Sequence, residues 1–375
     1  MEEGLLEEEK CIKDKKKIIL NVSNILFLSI IIILILISIN NEKNEDDKNE
    51  NKKNSSEIYS FTAIYNTIID NQTSYLIKKL PHKGLKTCNI TKMTIDNNEE
   101  VTPSLEYTFP SAGNHTVNFW IDITECDSLE EMFDGRMYNL LSISFTENFN
   151  TKNIKSMERM FYNNYVLTSL DVSTFNTENV ETLSNFLYAC YKLVSINLSN
   201  WNTKNVRNYI YMFGYCQSLT SIDISSFNTE NAETMKFMFY DCKSLQSINL
   251  SNFNTKNVLD MDSMFYNCES LTSLDLSNFD TTKVENIYGM FYDCLSLKYL
   301  NISTFTKFIH IGPLLGGCKS LSILDMSSFL DFNDGGYPIF VRFSDSGIIY
   351  INHNFTNYVE KNLPEGWKIE IVDNK

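Results

Sequence analysis

The stretch SLQSINLSNFNTKNVLDMDSMFYNC, residues 244–268, is followed directly by ESLTSLDLSNFDTTKVENIYGMFYDC at residues 269–294. The two segments match at most positions, and neither contains a reactive group of side chains. Aligned on the Met-Phe pair, the repeat units begin at Phe133, Phe161, Leu187, Phe213, Phe239, Phe265, Phe291 and Leu315. The step between units is 28 residues once, then 26 residues five times, then 24. A period of this length predicts a solenoid of stacked units.

Each unit contains a short segment whose alternation predicts a strand with one buried face. In LTSLDL, residues 271–276, leucines alternate with polar residues in the leucine-rich-repeat manner. One unit cannot bury its own apolar side chains, whereas stacked neighbours can. We therefore predict a mostly β protein: a leucine-rich-repeat solenoid of about eight 26-residue coils at 126–330, in one sheet roughly 35–40 Å long. A small β domain at 57–125 would be its N-terminal cap, and 331–375 its C-terminal cap.

The repeat resembles a known family. On MFYNCESLTSLDLSNFDTTKVENIYGMF, residues 264–291, and its copies, the chain resembles the BspA-like leucine-rich-repeat surface proteins. The resemblance covers about 133–330 and extends to YTFPSAGNHTVNFW at 107–120 and IIYINHNFTNYVEKNLPEGWKIEIV at 348–372. It implies a location at the cell surface and binding to proteins of host or neighbouring cells, without indicating the ligand.

The N-terminal region predicts a membrane anchor. Residues 18–39, IILNVSNILFLSIIIILILISI, would rise about 33 Å as a helix, which is enough to cross a bilayer. A single transmembrane signal-anchor is predicted, with a cleaved signal peptide as the alternative. Lysines crowd the N-terminal flank, which places 1–17 in the cytoplasm and the repeats outside, as in a single-pass protein of the cell membrane. Residues 40–56 contain no apolar side chain and are predicted to be a flexible linker.

Composition and motifs argue against several function classes. With 32 Lys+Arg against 47 Asp+Glu, the net charge of -15 disfavours nucleic acid as a partner. The sequence contains no HExxH, GxSxG or P-loop motif, and its four histidines lack metal-ligand spacing. We therefore expect no enzyme activity and no cofactor. The expected partners are extracellular proteins whose identity the sequence does not indicate.

Cysteine recurs once per unit along most of the array. The column consists of Cys190, Cys216, Cys242, Cys268, Cys294 and Cys318. A buried column of small side chains is the favoured interpretation, because free Cys is among the most buried residue types. Disulfides between coils and a metal-binding column remain open alternatives. Cys88 and Cys126 lie outside the column, and we hypothesise that they form a disulfide.

Two other columns alternate with a period of 52 residues, a pair of coils. One column runs Asp171, Asn197, Asp223, Asn249, Asp275, Asn301 and Asp325, and the other runs Lys152, Glu178, Lys204, Glu230 and Lys256. Alternation avoids like charges on neighbouring strands, and duplication of a two-coil unit would also produce it. The alternation creates sequons at Asn197, Asn249 and Asn301. Sequons also lie outside the repeats, at Asn54, Asn71, Asn89, Asn114 and Asn354. These are better glycosylation candidates than the strand sites, because acceptors favour exposed loops.

Two sets of positions are candidates for partner binding. The first is a tyrosine column, Tyr162, Tyr188, Tyr240, Tyr266 and Tyr292, interrupted by Gly214. The second is the variable strand position, Thr168, Val194, Thr220, Gln246, Thr272 and Lys298. The tyrosines would otherwise only pack along the outer turn. The predicted function is a membrane-anchored surface protein that binds or adheres to host or neighbouring cells, and the alternative is a passive coat glycoprotein without a specific ligand.

Overall fold

The computed structural model describes residues 60–77, 88–96, 99–123, 126–135, 139–147, 149–306, 308–329 and 338–372. The chain divides into two compact units, Met1–Glu57 and Ile58–Lys375, and every described residue belongs to the second. The predicted tail at 1–17, the transmembrane segment at 18–39 and the linker at 40–56 lie outside the described residues. Within the described ranges, no helix is both long and apolar enough to cross a membrane.

The second unit begins with six strands. They are β1 Phe61–Thr67, β2 Gln72–Tyr75, β3 Asn89–Ile95, β4 Glu99–Val101, β5 Glu106–Phe109 and β6 Gly113–Asp122. Burial alternates along β1 and β6, so that Phe61 and Phe119 lie in the core and stack on each other with ring centroids 4.8 Å apart. Strands β4, β3, β6 and β1 form one antiparallel sheet, while β2 and β5 pair separately.

Strand β1 joins this sheet to the repeats. It pairs antiparallel with β7, Leu140–Phe145, which in turn pairs parallel with β8, Ser169–Asp171. The ring of Phe61 contacts Phe133 and Phe149, with centroids 5.1 and 5.7 Å apart, so the apolar surface of the first coil is covered. The strands therefore form one continuous sheet in the order β4-β3-β6-β1-β7-β8-β9, where β9 is Ser195–Asn197.

The repeats form a β-solenoid. A column of parallel bridges joins eight successive positions, Ser128, Ser156, Thr182, Asn208, Thr234, Asp260, Asn286 and His310. The strand column is less regular than predicted, because residues 221–223 and 247–249 are not strands. The expected single sheet is therefore divided in two, and the second sheet begins at β10, Ser273–Asp275. Backbone bonds still cross the interval: the Gln246 N–H donates to the Thr220 carbonyl at 3.0 Å.

Each coil is held to the next by side chains of the Asn-Thr-x-Asn segment. The hydroxyl of buried Thr177 donates to the Asn202 carbonyl at 3.0 Å and accepts the Asn202 N–H at 2.8 Å. Asn176 accepts the N–H of Glu178, which shapes the turn, and Asn179 donates to a carbonyl of the preceding coil. The same bonds recur in the following coils. These polar residues are conspicuous in the repeat because buried backbone groups must find partners.

The C-terminal segment continues the stack. After β11, Tyr299–Asn301, and β12, Ile323–Met326, come β13, Ser346–Ile351, a 3₁₀ turn at His353–Phe355, helix α1, Thr356–Asn362, and β14, Gly366–Ile371. Strands β12, β13 and β14 are parallel neighbours. The region predicted as a C-terminal cap therefore adds two strands to the solenoid sheet. Trp367 secures the last strand, since its indole N–H donates to the Ser344 carbonyl at 3.0 Å.

Candidate functional site

The tyrosine column forms a stack of rings along the coils. Tyr162 and Tyr188 have centroids 4.9 Å apart and planes at 9°. Tyr240, Tyr266 and Tyr292 continue in the same way, with spacings of 4.8 and 4.9 Å. All five side chains are half-buried. The spacing equals the distance between neighbouring strands, so the solenoid period itself sets the stacking.

Gly214 interrupts the column in sequence, yet the aromatic contacts continue past it. Tyr211 lies over this glycine: a Cβ at position 214 would meet Tyr211 Cδ1 at 2.6 Å. Tyr188 contacts Tyr211 and Tyr215 edge-on, both with centroids 5.2 Å away. Tyr215 then contacts Tyr240 at 5.2 Å. The Tyr211 ring thus takes the space that a side chain at position 214 would fill.

A second row of tyrosines lies beside the first. Tyr165 and Tyr191 stack with centroids 5.1 Å apart, and Tyr191 contacts Tyr215 at 6.3 Å. Tyr191 is 37% exposed. Together these residues form what we call the tyrosine patch: Tyr162, Tyr165, Tyr188, Tyr191, Tyr211 and Tyr215. Four of them, Tyr165, Tyr191, Tyr211 and Tyr215, were not predicted as site residues, although Tyr165 and Tyr191 stand one 26-residue period apart.

An arginine lies at each end of the tyrosine column. The Arg159 guanidinium lies 4.3 Å from the Tyr162 ring and pairs with Glu131 at 3.2 Å. At the other end, Arg342 lies 5.2 Å from the Tyr292 ring and donates to the Tyr292 hydroxyl at 2.6 Å. The ring faces are therefore occupied by neighbouring rings or by guanidinium groups. A partner would meet ring edges and hydroxyls, which suits a protein surface better than a planar ligand that needs an open ring face.

The hydroxyls of Tyr188, Tyr240 and Tyr211 stay protonated at any physiological pH. Burial raises the pKa of Tyr188 and Tyr240 well above the ordinary value, and the neighbouring phenols raise it further. Burial likewise raises the pKa of Tyr211 to about 12. A phenol that stays protonated can donate to carbonyl or carboxylate oxygens of a partner.

The variable strand positions are exposed in the structure. They are Thr168, Val194, Thr220, Gln246, Thr272 and Lys298. Beside them, the Asp/Asn column has a structural role that the charge pattern did not reveal. Asp223 and Asn249 each accept the N–H of the serine two residues later, at 3.0 and 3.1 Å, which caps the turn after the strand. Hydrogen bonds from the side chain and backbone of Ser225 hold the pKa of Asp223 below its usual range.

Opposite charges meet on the Lys/Glu column and on a further column. Lys256 pairs with Glu230 of the preceding coil at 3.2 Å. The further column was not recognised in the sequence and runs Lys155, Glu181, Arg207 and Glu233 before Leu259. In it, Arg207 pairs with Glu233 at 2.6 Å. The charges of these two columns therefore pair with opposite charges of neighbouring coils.

The six column cysteines are buried free thiols. Each thiol donates to a carbonyl of the preceding coil: Cys242 to Phe213 at 3.1 Å, and Cys294 to Phe265 at 3.2 Å. Asn164 fills the same place in an earlier coil and donates to the Phe133 carbonyl at 2.6 Å. The column therefore supplies a donor as well as small volume. Burial raises the pKa of Cys190 and of Cys294 to about 12, so these thiols are inert.

Outside the column, Cys88 and Cys126 form a disulfide with Cα atoms 5.3 Å apart. Of the candidate glycosylation residues, Asn71, Asn114 and Asn354 have exposed side chains, and Asn89 lies in β3. The Asn114 side-chain oxygen accepts from Asn66 at 2.7 Å. In the part of the chain that the structure covers, no three His, Cys, Asp or Glu side chains are grouped to hold a metal ion.

Comparison with known proteins gives one family match. Residues 124–248 and 220–308 match the family described as "Mycoplasma protein of unknown function, DUF285". No curated protein matches the chain. The matched residues lie in the solenoid, so the similarity concerns the repeats and leaves their function to be argued from the surface.

Proposed function

We propose that this chain is a BspA-like leucine-rich-repeat surface protein, anchored by 18–39, whose solenoid binds proteins of host or neighbouring cells. The lysine asymmetry around 18–39 supports the anchor and the extracellular placement of the repeats. The repeats supply a rigid scaffold on which side chains of successive coils stand in register.

The observation that carries the proposal is the tyrosine patch. Six tyrosines gather between Tyr162 and Tyr215, whereas Asn267 and Gly289 take two of the equivalent positions in later coils. Tyrosine is enriched at interfaces because it offers a large contact area at a small entropic cost. Here the stacked rings are already ordered, which lowers that cost further. A coat protein without a ligand has no need for such unevenness along its coils.

The test measures saturable binding of the labelled chain to host or neighbouring cells. In the variant Tyr165→Ala/Tyr191→Ala we expect the apparent dissociation constant to rise about tenfold or more, as for interface hot spots. The matched control Thr220→Ala/Thr272→Ala changes the other candidate surface. Circular dichroism of each variant checks that it folds.

The outcomes separate the candidate surfaces and functions. Loss of binding in the control alone would transfer the site to the variable strand positions. Unchanged binding in both variants would remove both surfaces. No saturable binding of the unaltered chain would favour the passive coat glycoprotein.

A further inference from the structure

In the part of the chain that the structure describes, strand β14 has one unpaired edge. Among the described residues it pairs only with β13, and it is the last strand of its five-stranded sheet. Ile371 and Val372 at its end are 49% and 36% exposed. An unpaired strand edge is a template for another strand.

The backbone of β14 is suited to accept such a strand. Val372 donates its N–H to the Ile351 carbonyl at 2.8 Å, toward β13. Backbone groups alternate between the two sides of a strand, so Trp367, Ile369 and Ile371 direct theirs to the free edge. The Trp367 N–H accordingly bonds back to Pro364 rather than to β13. Ile369 and Ile371 therefore offer donors and acceptors to a further strand.

The sequence of β14, GWKIEI, is complementary to itself when reversed about Ile369. In an antiparallel pair of two copies with Ile369 facing its own counterpart, Lys368 lies opposite Glu370 and Trp367 opposite Ile371. In this register Ile369 exchanges two backbone hydrogen bonds with its own counterpart. Ile371 donates its N–H to the Trp367 carbonyl of the second copy, while the Trp367 N–H keeps its bond to Pro364. Within one chain Lys368 and Glu370 already form an ion pair on the exposed face, so both side chains stand where the second copy would meet them.

We propose that a second copy of this chain binds through β14, forming a two-fold symmetric dimer with a continuous ten-stranded sheet. A two-fold contact needs a self-complementary surface, and the Lys-Ile-Glu segment is one. The paired strands satisfy the open backbone edge and cover Ile371 and Val372. Opposite charges facing each other across antiparallel strands stabilise the register.

The dimer has a consequence for the proposed adhesion. The strand β1 adjoins the first coil and β14 forms the last strand, so the N-terminal β domains lie at opposite ends of the paired solenoids. If the proposed membrane anchoring holds, on which this step alone rests, the two copies can belong to facing membranes. The dimer itself does not depend on the anchor.

The test exchanges the two charges in the full chain, purified in detergent micelles, and measures mass by light scattering over a range of concentrations. In a dimer of Lys368→Glu, the glutamate introduced into each copy faces Glu370 of the other copy, so two pairs of negative charges form. In a dimer of Glu370→Lys, two pairs of lysines face each other in the same way. We expect each variant to raise the dissociation constant about tenfold or more. The double variant Lys368→Glu/Glu370→Lys restores the dimer, and so does an equimolar mixture of the two single variants.

The mixture is the decisive arm, because each single variant has lost its internal ion pair and a fold defect would persist on mixing. Restored dimer in the mixture supports pairing through β14 in this register. A monomeric unaltered chain, or a dimer that neither single variant weakens, overturns the proposal. Binding to cells in the tyrosine-patch experiment is a separate measurement, so a monomer would leave the proposed function standing.

Discussion

The cysteine column predicts an unusual pH dependence, which Cys294 illustrates. Its thiol is fully buried and donates to the Phe265 carbonyl, and burial raises its pKa from 9.0 to about 12. Below pH 9 the thiol is neutral in the folded and unfolded chains alike. Between pH 9 and 12 the unfolded thiol ionises while the folded one does not, so the stability that the thiol contributes falls as pH rises.

The size of the effect follows from the pKa difference. Each pH unit in that window lowers the free energy of unfolding by about 1.4 kcal/mol per thiol. Serine does not titrate there and retains a donor for the Phe265 carbonyl. The destabilisation caused by Cys294→Ser, measured at pH 8, should therefore shrink by about 1.4 kcal/mol at pH 10. Other titrating groups cancel, because both chains contain them.

The measurement is urea unfolding of the purified chain and of Cys294→Ser at both pH values, followed by circular dichroism. Thr255→Ser is the matched control, since Thr255 is buried and hydrogen-bonded to the next coil but does not titrate in this range. Its destabilisation should be equal at pH 8 and pH 10. If the destabilisation caused by Cys294→Ser stays constant or grows with pH, Cys294 is not a buried neutral thiol. The same conclusion would follow if its sulfur were found in a disulfide or bound to a metal ion.

Three further predictions concern the coils and the N-terminal β domain. Asn249→Asp keeps the turn cap but places a charge between Asp223 and Asp275, so the melting temperature should fall, and more at low salt than at high. Gly289→Ala should destabilise by about 1–2 kcal/mol in urea unfolding, because its φ of 55° is left-handed although the added methyl has room, and Gly289→Asn should cost less. Replacing Cys88 and Cys126 by serine should lower stability by roughly 2–4 kcal/mol, measured by calorimetry; no loss would contradict a stabilising disulfide.

The solenoid could be predicted from sequence because its period is visible in the chain. The apolar positions of LTSLDL recur at each step, and the structure buries Leu271, Leu274 and Leu276. The N-terminal β domain was harder to read. Strand β1, FTAIYNT, has no clear signature in the sequence, because its alternation is short and its outer face carries Ile64 and polar residues, as a loop could. Its place between β6 and β7 depends on contacts far apart in sequence.

The candidate site could be predicted only in part, for a related reason. The tyrosine column was readable because Tyr162 and Tyr188 occupy equivalent positions. Tyr211 and Tyr215 belong to other positions of the coil, and left-handed backbone at both, with φ of 51° and 62°, accompanies their approach to Tyr188. A one-dimensional alignment contains no sign of that convergence. The hydrogen bonds of the cysteine thiols could not be predicted either, because the sequence does not indicate which carbonyl of the preceding coil lies beside each thiol.

The repeat consensus and the candidate surfaces are complementary. A position that bonds to a neighbouring coil, such as Thr177 or Asn179, keeps its residue type because every coil presents the same unsatisfied backbone group there. Where the chain departs from the consensus, packing between coils does not determine the residue type. Selection for binding can determine it instead. The tyrosine patch at Gly214 and the Lys-Ile-Glu segment of β14 are both departures of this kind. A solenoid therefore uses different positions of each coil for stacking and for binding. We expect binding to a partner or to a second copy at the positions that depart from the consensus.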